Sequence, residues 1–89
     1  MQEQYLEVTF RQGKPIAAYL YLPRATGEKS VRTTEAIPGI LVDFAVSGAP
    51  IGLEITAPTQ VTVGQINTVL QMFGGKPMAP EELAPLTTA

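Results

Sequence analysis

Hydrophobic and polar positions alternate, with interruptions, from residue 4 to residue 57, and fall into a longer period after Pro58. QYLEVTF at 4–10 alternates and is rich in β-formers, which predicts a first strand. After a turn at RQGK, 11–14, a second strand is expected at PIAAYLYL, 15–22. It carries Ala17, Tyr19 and Tyr21 on one face and Ala18, Leu20 and Leu22 on the other. Apolar side chains on both faces predict a strand covered from both sides. A polar loop at 23–30 leads to VRTTEAI, 31–37, whose Val and Thr content suits a half-exposed strand.

Pro38-Gly39 marks a turn, and ILVDFAV at 40–46 then puts Ile40, Val42, Phe44 and Val46 on one face. SGAP at 47–50 reads as a hairpin loop and IGLEITA as its second arm, with Ile51, Leu53 and Ile55 aligned. Pairing Val46 with Ile51, Phe44 with Leu53 and Val42 with Ile55 keeps every apolar residue on one side. That register sets Asp43 directly opposite Glu54.

From Thr62 the period becomes helical. Thr62 and Gln65 have capping-box spacing, and Val63, Ile66, Val69, Leu70 and Phe73 fall within one arc of a helix over 62–73. Gly74-Gly75 supplies its end. The expected fold is α+β: a small antiparallel or mixed sheet of about five strands in a meander-like order, with one C-terminal amphipathic helix packed on a face. Residues 1–75 form the single domain in this reading. The last stretch, 76–89, holds three prolines and is expected to be extended and partly disordered, or to dock on a neighbour.

Composition narrows the chemistry. The 89 residues include no histidine and no cysteine, which removes imidazole bases and triads, thiolate metal sites and disulfides. No cofactor or metal is expected, and the chain reads as a non-enzyme. A net charge of −2 gives no electrostatic footprint for nucleic acid. The start, MQEQYLEV, lacks the basic and apolar regions of a signal peptide, and no apolar run reaches membrane-spanning length. A soluble, cytoplasmic protein that does not engage membranes is the expectation.

Two clusters remain as candidates. Asp43 and Glu54, if opposed, repel, because like charges directly across a strand pair are destabilising. In the leading reading they are a solvated hairpin face, meeting water or Arg24 or Arg32. In the second they hold a divalent cation or small ligand, with Thr34, Glu35 and Thr56 as further oxygen donors. Tyr19 and Tyr21, with Tyr5 alongside, form a stripe that serves either as a ligand surface or as the edge of a core or oligomer contact. The glycines at 39, 48 and 74–75 fit turns and a helix end, and none has phosphate-loop spacing.

Tyr19, Gly39 to Asp43, Gly48, and Gly52 to Ile55 resemble, in order and spacing, the pattern of the uncharacterised bacterial domain-of-unknown-function family 2283. The likeness spans roughly residues 5–57. It departs at Ile16-Ala17, where members commonly carry an acid, and the helix and tail lie outside the usual core. The resemblance implies a small β-rich domain with no established catalytic role and acidic positions at Asp43 and Glu54. It also implies an antitoxin-like or partner-binding role as a third alternative. The function expected overall is a protein-interaction module that forms a homo-oligomer, with the helix stripe serving as packing surface or subunit contact.

Overall fold

The computed structural model describes residues 4–23 and 27–87. Five strands, β1 (Tyr5–Arg11), β2 (Lys14–Tyr21), β3 (Arg32–Ile37), β4 (Ile40–Phe44) and β5 (Pro50–Ile55), form one sheet in the order β1-β2-β5-β4-β3, antiparallel throughout. A 3-10 turn at Pro58–Gln60 follows, then helix α1 (Val63–Met72), a second 3-10 turn at Pro80–Leu83 and a single helical turn, α2 (Ala84–Thr87).

The β1–β2 connection is set by two residues. Gln12 and Gly13 both adopt positive φ, 52° and 78°, the requirement of a tight hairpin turn whose twist matches the strands. From β2 the chain does not continue to its nearest neighbour in sequence, as a meander would. It travels to the far edge, forms β3, and returns through β4 to lay β5 against β2.

The expected β4–β5 register is corrected by two residues. Asp43 pairs with Gly52, Val42 with Leu53, Leu41 with Glu54 and Ile40 with Ile55. β4 ends at Phe44 rather than 46, and Val46, expected to point inward, is 86% exposed. The loop and a bulge in β5 together explain the shift: the turn sets Phe44 against Pro50, and Ile51 is the extra residue that brings Asp43 to Gly52. Gly48 N–H donates to Ala45 O at 2.9 Å, Ala45 N–H donates to Ala49 O at 2.9 Å, and Gly48 sits at φ 90°. That closed turn takes up residues that simple alternation would assign to the strands. Because the slip is two residues, every side chain keeps its face.

Cross-sheet rows follow from the pairing. Leu6, Leu20, Leu53 and Val42 form one buried-face row, and Val8, Ala18, Ile55 and Ile40 another. Against these rows pack Val61, Ile66, Val69, Leu70, Met78, Leu83 and Leu86 from the second half of the chain. Thr62 caps α1 through its hydroxyl, which accepts from Gln65 N–H at 3.1 Å, while Gln65 Oε1 accepts from Thr62 N–H at 2.9 Å. Gly74, at φ 78°, ends the helix, and Gly75 N–H donates back to Leu70 O at 2.7 Å.

The helix is shorter than predicted and is not the last element. The segment read as an extended tail instead coils into the second 3-10 turn and α2, burying Met78, Leu83 and Leu86 in the same cluster as the strands. Pro80 and Pro85 do not prevent this, because each falls in the first turn of its helical segment, where proline is favoured. Side-chain hydrogen bonds hold the path. Asn67 donates to Met78 O at 3.0 Å and accepts from Met78 N–H at 2.7 Å, and Gln4 does the same for Lys76 at 3.0 and 2.9 Å.

Candidate functional site

The helical segments contribute to the cluster on one face of the sheet, which leaves the other as a surface of its own. Two rows cross that second face: Tyr5, Tyr21, Gly52, Asp43 and Thr33, and beside them Glu7, Tyr19, Glu54, Leu41 and Glu35. Contrary to the expectation of a doubly covered second strand, Ala17 is exposed and Tyr19 and Tyr21 are half-buried.

Asp43 is the one buried charged residue among the described residues, at 5% exposure. Its burial is matched by two hydroxyl donors. Tyr19 Oη–H donates to Oδ2 at 2.8 Å, and Thr33 Oγ1–H donates to Oδ1 at 2.5 Å, so each carboxyl oxygen accepts from one hydroxyl. Tyr19 reaches Asp43 diagonally, passing over Gly52 on the intervening strand. A Cβ at position 52 would overlap the Tyr19 ring at Oη, Cζ and Cε2, so glycine there is a steric requirement of the bond.

The other tyrosines stand against this one. Tyr21 meets the Tyr19 ring edge-on, with centroids 4.7 Å apart, and stacks on Tyr5 at 4.5 Å and 17°. Its hydroxyl donates to Glu7 Oε1 at 3.1 Å. Three strands are thereby spanned by an ordered aromatic ribbon that ends on a buried carboxylate. Offset and edge-on ring contacts of this kind contribute about 0.5–1.5 kcal/mol each beyond their burial.

The expected carboxylate pair is not formed. Asp43 faces Gly52, while Glu54 lies between Tyr19 and Leu41 as a diagonal neighbour, a relation in which Cα atoms are about 7–8 Å apart. The further oxygen donors do not converge on it. Thr34 pairs with Val42 on the buried face, Glu35 with Leu41, and the Thr56 hydroxyl donates to Gly39 O at 3.4 Å. Arg32 is not a partner of Asp43 either, because its guanidinium lies 4.3 Å over the Phe44 ring. Arg24 lies outside the described residues. Among the described residues no three His, Cys, Asp or Glu side chains group as a metal site.

The helix stripe points inward: Ile66, Val69 and Leu70 are buried, and Val63 and Phe73 are partly buried against the core, Phe73 edge-on to Phe44 at 5.6 Å. Thr33 and Gly52 are the site residues that alternation did not single out. Gly52 carried a usable signal, since a glycine inside a strand marks a close approach.

This geometry reverses the expectation that neutralising Asp43 relieves repulsion. Asp43→Asn is expected to lower stability by about 1–3 kcal/mol, since an amide offers one acceptor oxygen to two donors. Glu54→Gln is expected to change it by no more than about 0.5 kcal/mol. Urea melts of the two variants check the pair, and equal effects would sink the assignment of Asp43 as an organising acceptor.

A cleft of about 510 Å³ is lined by Gln4, Pro23, Gly74, Gly75, Lys76, Pro77, Met78 and Glu82. No helix among the described residues is long and apolar enough to cross a membrane. No protein-family model, curated protein or solved structure matches the chain.

Proposed function

We propose that the protein is a non-enzymatic protein-interaction module that works as a homo-oligomer. One observation carries this reading. Of the six large apolar side chains exposed among the described residues, Tyr5 at 44%, Phe10 at 48% and Ile16 at 44% all lie on the β1–β2 hairpin. Three exposed apolar side chains on the two faces of one edge hairpin favour that hairpin as the place where a second copy would add cover. The amphipathic stripe of α1 is used within the subunit in this reading, which leaves the hairpin as the contact.

The carboxylates favour the same reading. Both Asp43 oxygens are engaged by hydroxyl donors, so the residue serves to fix Tyr19 rather than to transfer protons or hold a cation. The likeness to the family of unknown function agrees with a partner-binding role, in which the tyrosine face presents a preordered surface.

Light scattering across micromolar to millimolar concentration tests this. The expected mass is at least twice the 9.5 kDa of one chain. A 9.5 kDa species throughout that range would overturn the homo-oligomer.

A further inference from the structure

We propose that β1 is the subunit contact, and that two copies join by pairing β1 with β1 antiparallel about a two-fold axis through Val8, making one continuous sheet. The inference rests on the self-association reading above and adds its geometry.

β1 is an edge strand seven residues long whose only described strand neighbour is β2. Its outward side contains no proline and no lysine, and the register break beside it falls in β2, where Ile16 is the extra residue between the Thr9–Ala17 and Phe10–Pro15 pairs. Edges left this regular are templates for another strand. The other edge, β3, is itself broken by a bulge at Ala36.

The backbone groups of β1 are suitably directed. The two-residue Gln12-Gly13 turn makes Arg11 and Lys14 a hydrogen-bonded pair. By alternation Tyr5, Glu7, Thr9 and Arg11 turn their N–H and C=O groups towards β2. Leu6, Val8 and Phe10 turn theirs outward.

The sequence of β1, YLEVTFR, is complementary to its own reverse when centred on Val8. Val8 then meets Val8 of the second copy and Leu6 meets Phe10, which forms an apolar row on the buried face and uses every outward backbone group in about six hydrogen bonds. On the open face Glu7 meets Thr9 and Tyr5 meets Arg11, with Glu7 a diagonal neighbour of both Arg11 and Glu7 of the second copy, the arginine offsetting the like charge. Moving the axis to Glu7 sets glutamate against glutamate. Moving it to Thr9 leaves Tyr5 and Leu6 without partners. The half-buried state of Leu6 and Val8 and the exposure of Phe10 are what an unpaired half of such a row presents.

A cysteine placed on the axis reads the contact directly, because the chain contains no other. Hydrogen-bonded antiparallel partners have Cα atoms about 5.5 Å apart, within the disulfide range of about 4.4–6.8 Å. Val8→Cys is expected to convert to a reductant-sensitive covalent dimer under mild oxidation, while Thr59→Cys, on the exposed 3-10 turn, stays largely uncrosslinked. Val8→Pro removes an outward N–H and part of the packing of a half-buried valine, and is expected to give a folded, somewhat less stable 9.5 kDa monomer by circular dichroism and light scattering. An assembled wild type whose Val8→Cys variant does not crosslink overturns the β1 contact and leaves self-association standing, as does an assembled Val8→Pro variant. A monomeric wild type overturns both. Should Val8→Pro fail to fold, the cysteine pair alone decides.

Discussion

Ending the chain after Gly75 is expected to abolish the fold. The deletion removes Met78, Leu83 and Leu86, all buried in the cluster that covers the sheet, together with the main-chain groups clamped by Asn67 and Gln4. Truncating a single buried leucine costs about 2–5 kcal/mol, and three large side chains of this kind match the whole stability of a small domain, about 5–15 kcal/mol. A domain of this size buries a modest fraction of its surface and has little reserve. Circular dichroism and one-dimensional proton spectra of the shortened chain are expected to show an unfolded or molten ensemble. Leu86→Ala in the full chain is expected to fold with a loss of about 2–5 kcal/mol. A shortened chain that melts cooperatively near the full-length temperature would show that the last twelve described residues only decorate the core.

The second large effect is expected from one methyl group. Gly52→Ala places a Cβ inside the volume of the Tyr19 ring, and the neighbouring atoms cannot yield by the amount needed without the ring leaving its position. Overpacking alone costs about 1–3 kcal/mol. Displacing Tyr19 also takes a donor from the buried Asp43, worth about a further 1–3 kcal/mol. The expected loss is therefore about 2–6 kcal/mol, measured by urea denaturation. Specificity comes from a double-mutant cycle: in a Tyr19→Ala background, Gly52→Ala is expected to cost less than about 1 kcal/mol. Full additivity would show that the glycine serves the backbone and not the ring above it.

Period and turn chemistry made most of the elements legible. The α+β class, five strands, the Thr62–Gln65 cap and the Gly74 helix end all follow from local rules, and all are present. Pairing was harder, and the reason is countable. From the Pro38-Gly39 turn, unbroken alternation carries Asp43 to Thr34, but the bulge at Ala36 moves the partner to Thr33. In the next hairpin the Gly48 turn and the bulge at Ile51 together move Asp43 from Glu54 to Gly52. Each irregularity adds or removes a residue without changing which positions are apolar, so nothing in the hydrophobic pattern reports it. The same applies to the tail. Its prolines read as a break in structure, whereas Leu83 and Leu86, three apart, are the spacing of a short buried turn.

The bridge from Gln4 to Lys76 and Met78 spans more than seventy residues of chain. It joins the residue before β1 to the segment that closes the core, so this contact closes almost the whole described chain into one loop. Loop closure over such separations is charged to the folding barrier before any contact offsets it. On a ribosome, the β1–β2 hairpin would emerge early and wait, its sheet uncovered, until residues 76–87 had cleared the exit. The protein is accordingly one whose folding is completed after synthesis of this region and not during it, and through that interval its strand edges are open to whatever nascent or chaperone surface is near.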